Sequence, residues 1–256
     1  MSYKRKKTKI VATLGPAIDS KEMLLKMVAT GVNVFRINFS HADYDDVKKR
    51  VQYIREINEE HGYNASVLAD LQGPKLRVGV MKDDVVVAPG DEIIFATGAR
   101  FEGTKDRVYM TYDRFPLDTK PGEQILLDDG KLIFEVVSTN QKDEVKAKVI
   151  QGGPLKSKKG VNLPNTNISQ PALTEKDKED ALFAIEQEVD WIALSFVRNA
   201  EDLMELEAIV SKHSSYKIPI IAKIENPEAV INIDKIVAYC DGLMVARGDL
   251  GVEIPA

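Results

Sequence analysis

Four apolar runs in this sequence each end in a cluster of charged and polar residues, the groups able to do chemistry. One ends Arg36-Ile37-Asn38-Phe39-Ser40-His41 and a second Asp70-Leu71-Gln72-Gly73-Pro74-Lys75-Leu76-Arg77. A third ends Lys223-Ile224-Glu225-Asn226, and a fourth Arg247-Gly248-Asp249. Lys223 and Glu225 are two residues apart, which puts both side chains on one side of an extended strand. They close the apolar run Ile218-Pro219-Ile220-Ile221-Ala222, a setting that favours a functional pair over a surface ion pair. Glu225 with Asp249 offers hard oxygen ligands and leaves positions for substrate and water, which suits Mg²⁺ or Mn²⁺. Zinc fits poorly, because Cys240 and the three histidines, His41, His61 and His213, show no ligand spacing. Arg36, Arg77 and Lys223 add cations. A metal facing fixed cations is what phosphoryl transfer needs, since charge spread over the moving oxygens must be stabilised. Alternatives stay open for single residues. Arg36 also reads as a rim salt bridge, Asp70 as a metal ligand or as the partner of a nearby cation, and His41 as a helix-entry residue. Gly242 and Gly248 mark tight turns or a close backbone approach.

Strand and helix signals alternate around these clusters. Residues 9–14, 32–39, 65–71, 191–197, 218–224 and 242–246 read as short buried strands. Helices fall between them. Ser20 caps one that ends near Gly31, and Tyr44, Val47, Val51 and Ile54 recur at helical spacing in the next. Thr174 and Asp177 resemble a capping box that opens a third, with further helices over 200–213 and 227–238. From Gly73-Pro74 to about Gly160 the texture differs: short apolar runs are broken by turn residues, with Asp129-Gly130 as a hairpin signal and Val145, Ala147 and Val149 alternating with lysines. The expected fold is α/β, a (β/α)8 TIM barrel, because no Gly-rich dinucleotide turn follows the first strand. A small all-β barrel-like domain is inserted after strand three. In such a barrel, polar residues at the carboxyl ends of strands are the functional candidates. Six strands are two short of closure, so the sequence reads as a barrel truncated after about six strands, part of a longer protein.

Composition narrows the function classes. The 256 residues are 44% hydrophobic, with 16 glycines and 11 prolines, enough for a core and too ordinary for disorder or collagen. A net charge of −5 argues against a nucleic-acid coat. The basic run Lys4, Arg5, Lys6, Lys7, Lys9 reads as a solvated lead-in to the first strand. Cys240 is the single cysteine, which rules out an intrachain disulfide. The amino terminus lacks the apolar stretch of a signal peptide, and no window approaches the ~20 apolar residues of a membrane helix. A cytoplasmic protein with no membrane partner is expected.

With these residues laid out, the sequence resembles the pyruvate kinase family. The matching segments are KIVATLGP at 9–16, FRINFSH at 35–41, LADLQGPKLRVG at 68–79, KSKKGVNLP at 156–164, LTEKDKED at 173–180, IALSFVR at 192–198, IIAKIENPEAV at 220–230 and DGLMVARGDLGVEIP at 241–255. The resemblance implies a barrel domain over 1–73 and 161–256, a β-rich lid over 74–160, and a carboxyl-terminal regulatory domain absent from this sequence. It implies phosphoryl transfer from phosphoenolpyruvate to ADP, giving pyruvate and ATP, with a homotetramer expected for the full-length protein. By the same resemblance, Lys223 bridges the transferring group and stabilises the developing enolate, and Arg36 grips the phosphate. Glu225 and Asp249 hold the divalent metal, and the Gly248 amide contacts substrate. Asn38, Phe39, Ser40 and His41 line the nucleotide site, joined by Arg77 and Lys159. The segment expected to serve the final protonation of the enolate is not in the sequence, so the proton donor is left unassigned.

One departure from the family pattern bears on cofactors. Many relatives hold K⁺ through residues matching Asn38, Ser40, Asp70 and the carbonyl of Leu71, with glutamate after the Gly-Pro of the third-strand loop. Here that position is Lys75, and leucine replaces the usual threonine at 71. A tethered ammonium supplies the charge K⁺ would bring, and two cations in one small site repel. K⁺ is therefore expected to be dispensable. The competing readings are a metal-dependent barrel aldolase or lyase acting on phosphoenolpyruvate or pyruvate, and, for these 256 residues alone, a non-catalytic folded remnant. A sheet two strands short of a barrel exposes unpaired edges, and this chain by itself is expected to be inactive.

Overall fold

The computed structural model describes residues 7–18, 20–82 and 84–254. The basic residues Lys4, Arg5 and Lys6 lie outside them. The chain forms two compact units, one of Met1–Gly73, Ala172–Ile224 and Asn232–Met244, the other of Pro74–Pro171, Glu225–Ile231 and Val245–Ala256.

The first unit opens with strand β1 (Val11–Thr13), helix α1 (Lys21–Thr30), β2 (Val34–Asn38), a 3-10 turn at Phe39–His41, α2 (Tyr44–His61) and β3 (Ser66–Asp70). Local chemistry sets the helix ends. Ser20 Oγ accepts from the amide of Met23, and Gly31 closes α1 with φ of 112°, a conformation glycine adopts without a Cβ penalty. Asp43 caps α2, whose Val47, Val51, Ile54 and Ile57 form the buried stripe. The second unit follows with β4 (Val85–Val87), β5 (Glu92–Ala96), β6 (Arg107–Tyr109), a single turn α3 (Phe115–Asp118), β7 (Gln124–Leu127), β8 (Leu132–Thr139), β9 (Glu144–Gln151), β10 (Gly153–Leu155) and β11 (Val161–Asn162). The chain then returns through α4 (Glu175–Glu186), β12 (Trp191–Leu194), α5 (Ala200–His213), β13 (Ile220–Ile224), α6 (Pro227–Ile231), α7 (Ile233–Tyr239), β14 (Gly242–Val245) and α8 (Arg247–Glu253). Capping boxes open both α4, through Thr174 and Asp177, and α5, through Asn199 and Asp202.

In the first unit the sheet order is β1-β2-β3-β12-β13-β14, and the four pairings from β1 to β13 are parallel. Parallel strands joined by helices are the arrangement of a (β/α)8 barrel, here with six strands and a β-rich insertion after the third. The register aligns Thr13 with Arg36, Asn38 with Asp70, Asp70 with Ala193, and Leu194 with Ala222. Because β1, β2, β3, β12 and β13 all run the same way, their carboxyl ends share one edge of the sheet.

In the second unit β11-β7-β8-β9-β5-β6 form one sheet, antiparallel except for β5 with β6, while β10 pairs with β4. The β7–β8 turn has positive φ at Asp128, Asp129 and Gly130, the left-handed backbone that Asp and Gly tolerate. Val145, Ala147 and Val149 face inward from β9 as their alternation requires. The core packs Phe95 edge-on against Phe134 (5.3 Å between centroids) and Phe115 (6.2 Å).

Several elements differ from the sequence reading at their ends. The strand read over 191–197 stops at Leu194, because Phe196 takes φ of 54° and breaks the ladder. The helix read over 227–238 is two helices, since Asn232 leaves helical geometry (φ −95°, ψ 12°) and its side chain donates to Arg198 O at 2.9 Å. Among the described residues no helix is long and apolar enough to cross a membrane.

Candidate active site

The strand ends of the first unit bring Arg36, Asp70 and Lys223 together. Asp70 closes β3, its side chain only 1% exposed. Its Oδ2 accepts from Arg36 Nε at 2.5 Å and also meets Arg36 Nη2. Its Oδ1 stands 3.1 Å from Lys223 Nζ, an ion pair outside hydrogen-bond alignment. Asp70 pairs with two cations here, and Arg36 sits in that salt bridge. Arg36 Nη1 also donates to Thr13 Oγ1 at 2.9 Å. Two cations thus converge on one carboxylate away from solvent, where electrostatic interactions are far stronger than in water. Lys223 is 11% exposed and donates to Ser195 Oγ at 2.7 Å, while Ser195 donates to the carbonyl of Leu71 at 2.6 Å.

The turn after β2 is built by Asn38, whose Oδ1 accepts from the amide of Ser40 at 3.1 Å. Phe39 is fully buried and meets Phe183 edge-on at 6.3 Å. His41 ends this 3-10 turn.

The second unit groups three of the other cations named from the sequence. Arg77 bridges Gly160, and its Nη1 donates to Lys158 O at 2.9 Å. Lys159 Nζ pairs with Asp128 Oδ1 at 2.9 Å. That bond, partly opposed by burial and reinforced by Lys131, holds the Asp128 carboxyl below the usual carboxylate range. Lys75 is exposed, with its Cε 3.9 Å from where a Cβ on Gly160 would stand.

The same unit holds the acidic residues. Glu225 is buried, and lies just past the end of β13, so the two-residue alternation argument places Lys223 on the strand but not Glu225. Asp249 and Glu253 are four apart on α8 and share a face. The Glu253 carboxyl is pushed up to about 7, first by burial and then by the charges of Asp249 and Glu225, with the hydrogen bond from Asn162 Nδ2 (2.9 Å) opposing. Asp249 and Glu225 therefore both press on the Glu253 carboxylate. A hard divalent cation relieves such crowding, and Mg²⁺ is commonly held by one or two carboxylates with substrate phosphates completing its shell. The donor chemistry fits that ion. Among the described residues, no group of three or more His, Cys, Asp or Glu side chains is arranged to hold a metal without such help. A Cβ on Gly248 would meet nothing within 4 Å, so close protein packing does not explain that glycine.

Sequence reasoning missed Ser195, Thr13 and Glu253. Ser195 lies one residue past a strand end, the same signal that marked the others. Glu253 was findable from its four-residue spacing to Asp249 once 247–253 is read as a helix.

A parallel β/α sheet with a β-rich insertion after its third strand and charged side chains at its strand ends defines a class of (β/α)8 barrel proteins. Comparison narrows the class. The profile of the pyruvate kinase barrel domain matches residues 5–256. Pyruvate kinase of Corynebacterium glutamicum is 46% identical over 250 residues, covering 98% of this chain and 52% of that protein. Those of Bacillus licheniformis and Geobacillus stearothermophilus are 46% and 43% identical over 253 residues, each covering 98% of this chain and 43% of the relative. The chain belongs to the pyruvate kinase family. It spans about half the length of the curated relatives it matches.

Proposed function

We propose that the protein transfers the phosphoryl group of phosphoenolpyruvate to ADP, giving pyruvate and ATP. The observation that carries this reading is the buried Lys223 ammonium, set against Ser195 and Asp70 with Arg36 on the same carboxylate. Arg36 holds the phosphate. Lys223 meets the transferring group and then the enolate oxygen, where charge develops and a fixed cation lowers the barrier. The Gly248 amide contacts substrate. Asn38, Phe39, Ser40, His41, Arg77 and Lys159 serve the nucleotide. A divalent cation, Mg²⁺ or Mn²⁺, held by Glu225 and Asp249 would neutralise phosphoryl and carboxylate oxygens. Exclusion of water protects the phosphoryl group from hydrolysis while ADP is the acceptor. Lys75 supplies the charge that K⁺ brings through Asn38, Ser40, Asp70 and Leu71 in other members. A homotetramer in the cytoplasm is the expected form of the whole protein.

The test is the initial rate of pyruvate formation from phosphoenolpyruvate with Mg²⁺ and ADP, in buffer free of K⁺ and ammonium and then with K⁺ restored. It uses the full gene product that carries these residues, beside the 256-residue chain. ADP-dependent turnover near its full rate without K⁺ is expected of the former. Turnover only with K⁺ refutes the role of Lys75 and keeps the kinase. Pyruvate formed without any need for ADP refutes the kinase and favours a barrel lyase.

A further inference from the structure

Ser195 belongs to none of the roles above, yet its hydroxyl is bonded on both sides. Its side chain is buried, and its hydroxyl has one proton, which goes to Leu71 O at 2.6 Å. Only lone pairs then face Lys223, whose Nζ donates to Ser195 Oγ at 2.7 Å. The polarity of the chain Lys223 to Ser195 to Leu71 is therefore set by the backbone carbonyl at its end. Reversing it would leave a buried carbonyl unsatisfied, which costs free energy.

The backbone holds the hydroxyl in place. Phe196 has φ of 54°, left-handed geometry that a bulky residue keeps only under constraint from its surroundings. Gly73 has φ of 70° and lies against both residues: a Cβ there would be 2.8 Å from Phe196 Cδ2 and 2.9 Å from Ser195 Cβ. The amide of Gly73 donates to Asp177 Oδ1 at 3.0 Å, tying this loop to the capping box of α4. Asp70 pulls the ammonium only as an ion pair, without hydrogen-bond alignment, so it attracts without fixing direction. Ser195 Oγ is an aligned acceptor for the ammonium, at 2.7 Å.

We propose that Ser195 is a positioning residue for Lys223: its hydroxyl, oriented by the Leu71 carbonyl, holds the ammonium where it meets the transferring phosphoryl group and the enolate. This rests on the function proposed above. An ammonium that has lost its bond to Ser195 would bind the anionic substrate nearly as well but meet the transition state less often, so the loss falls on kcat.

Ser195→Ala in the full gene product is expected to lower kcat about 10- to 100-fold, the effect of losing a hydrogen bond to a charged group, while KM for phosphoenolpyruvate moves less than about threefold. In a Lys223→Arg background the same change is expected to cost less than about twofold, because Ser195 acts through the lysine. Ser195→Cys keeps the shape and weakens both hydrogen bonds, and carries the same kcat expectation if the alanine chain does not fold. Unchanged kcat in either variant, or an equal fold-loss in both lysine and arginine backgrounds, overturns the proposal and leaves the kinase reading intact. Absence of ADP-dependent turnover in the unsubstituted protein overturns both.

Discussion

Asp70→Asn is the perturbation that asks most of the first unit. The native carboxylate is 1% exposed and faces Arg36 through two nitrogens and Lys223 at 3.1 Å. The amide keeps the volume but removes the charge, and places an NH₂ group where a cation is already in contact. Arg36 and Lys223 are then left without their shared anion at side-chain exposures of 26% and 11%. Removing one partner of a buried ion pair costs about 3–5 kcal/mol, against about 0–1 kcal/mol for a surface pair. For a chain of this size, 1 kcal/mol corresponds to about 2–4 °C in Tm, so a fall of about 6–20 °C is expected. The assay has a built-in reporter. Trp191 is the single tryptophan and lies on β12, paired with Leu68 of β3 two register positions from Asp70. Its fluorescence follows the unfolding of this sheet specifically. Asp91→Asn, which removes the half-buried partner of the exposed Lys105 in the second unit and keeps an acceptor for the Ala88 amide, is the control and should leave the Trp191 transition where it was. A shift under about 2 °C for Asp70→Asn would mean that the cluster is hydrated like a surface pair, and the argument that burial makes it strong would be wrong.

Thr174→Ala removes the hydroxyl that accepts from the Asp177 amide at 3.1 Å and should cost about 1 kcal/mol in urea unfolding. Asp177→Ala should cost more, because the buried amide of Gly73 also loses its acceptor. Gly73→Ala meets both a left-handed φ and a Cβ contact of 2.8 Å, so a loss of about 2–5 kcal/mol is expected; a stable alanine variant would show that the loop relaxes freely. The Glu253 carboxyl, pushed up to about 7, binds a proton in the folded chain that it has lost in the unfolded chain between about pH 4.3 and 7. Its contribution to stability is therefore present below the unfolded value and is lost as pH rises through 7. In chelator-treated buffer, Glu253→Gln should gain on the native chain over that interval and hold its advantage above it. Parallel midpoint-against-pH curves for the two chains would contradict the shift.

What the sequence determined by itself is what depends on neighbours along the chain. Ser20, Thr174 and Asp177 cap helices because side chain and amide lie three residues apart, and Gly31 ends α1 because its own φ allows it. The six strands, the turn at Asp129-Gly130 and the polar strand ends are legible for the same reason: alternation and turn chemistry are local. Tertiary structure decided the rest. Asp70 finds its cations on β2 and β13, 34 and 153 positions away in the chain, and no spacing rule reaches that far. Phe196 breaks a strand that its apolar sequence favours, since Gly73 and Ser195 hold it in a left-handed backbone. Asn232 divides a helix to satisfy the carbonyl of Arg198. Lys223 could be marked from its type and place, but the partner that orients it comes from the neighbouring parallel strand, and only the register of β12 with β13 puts Ser195 beside it.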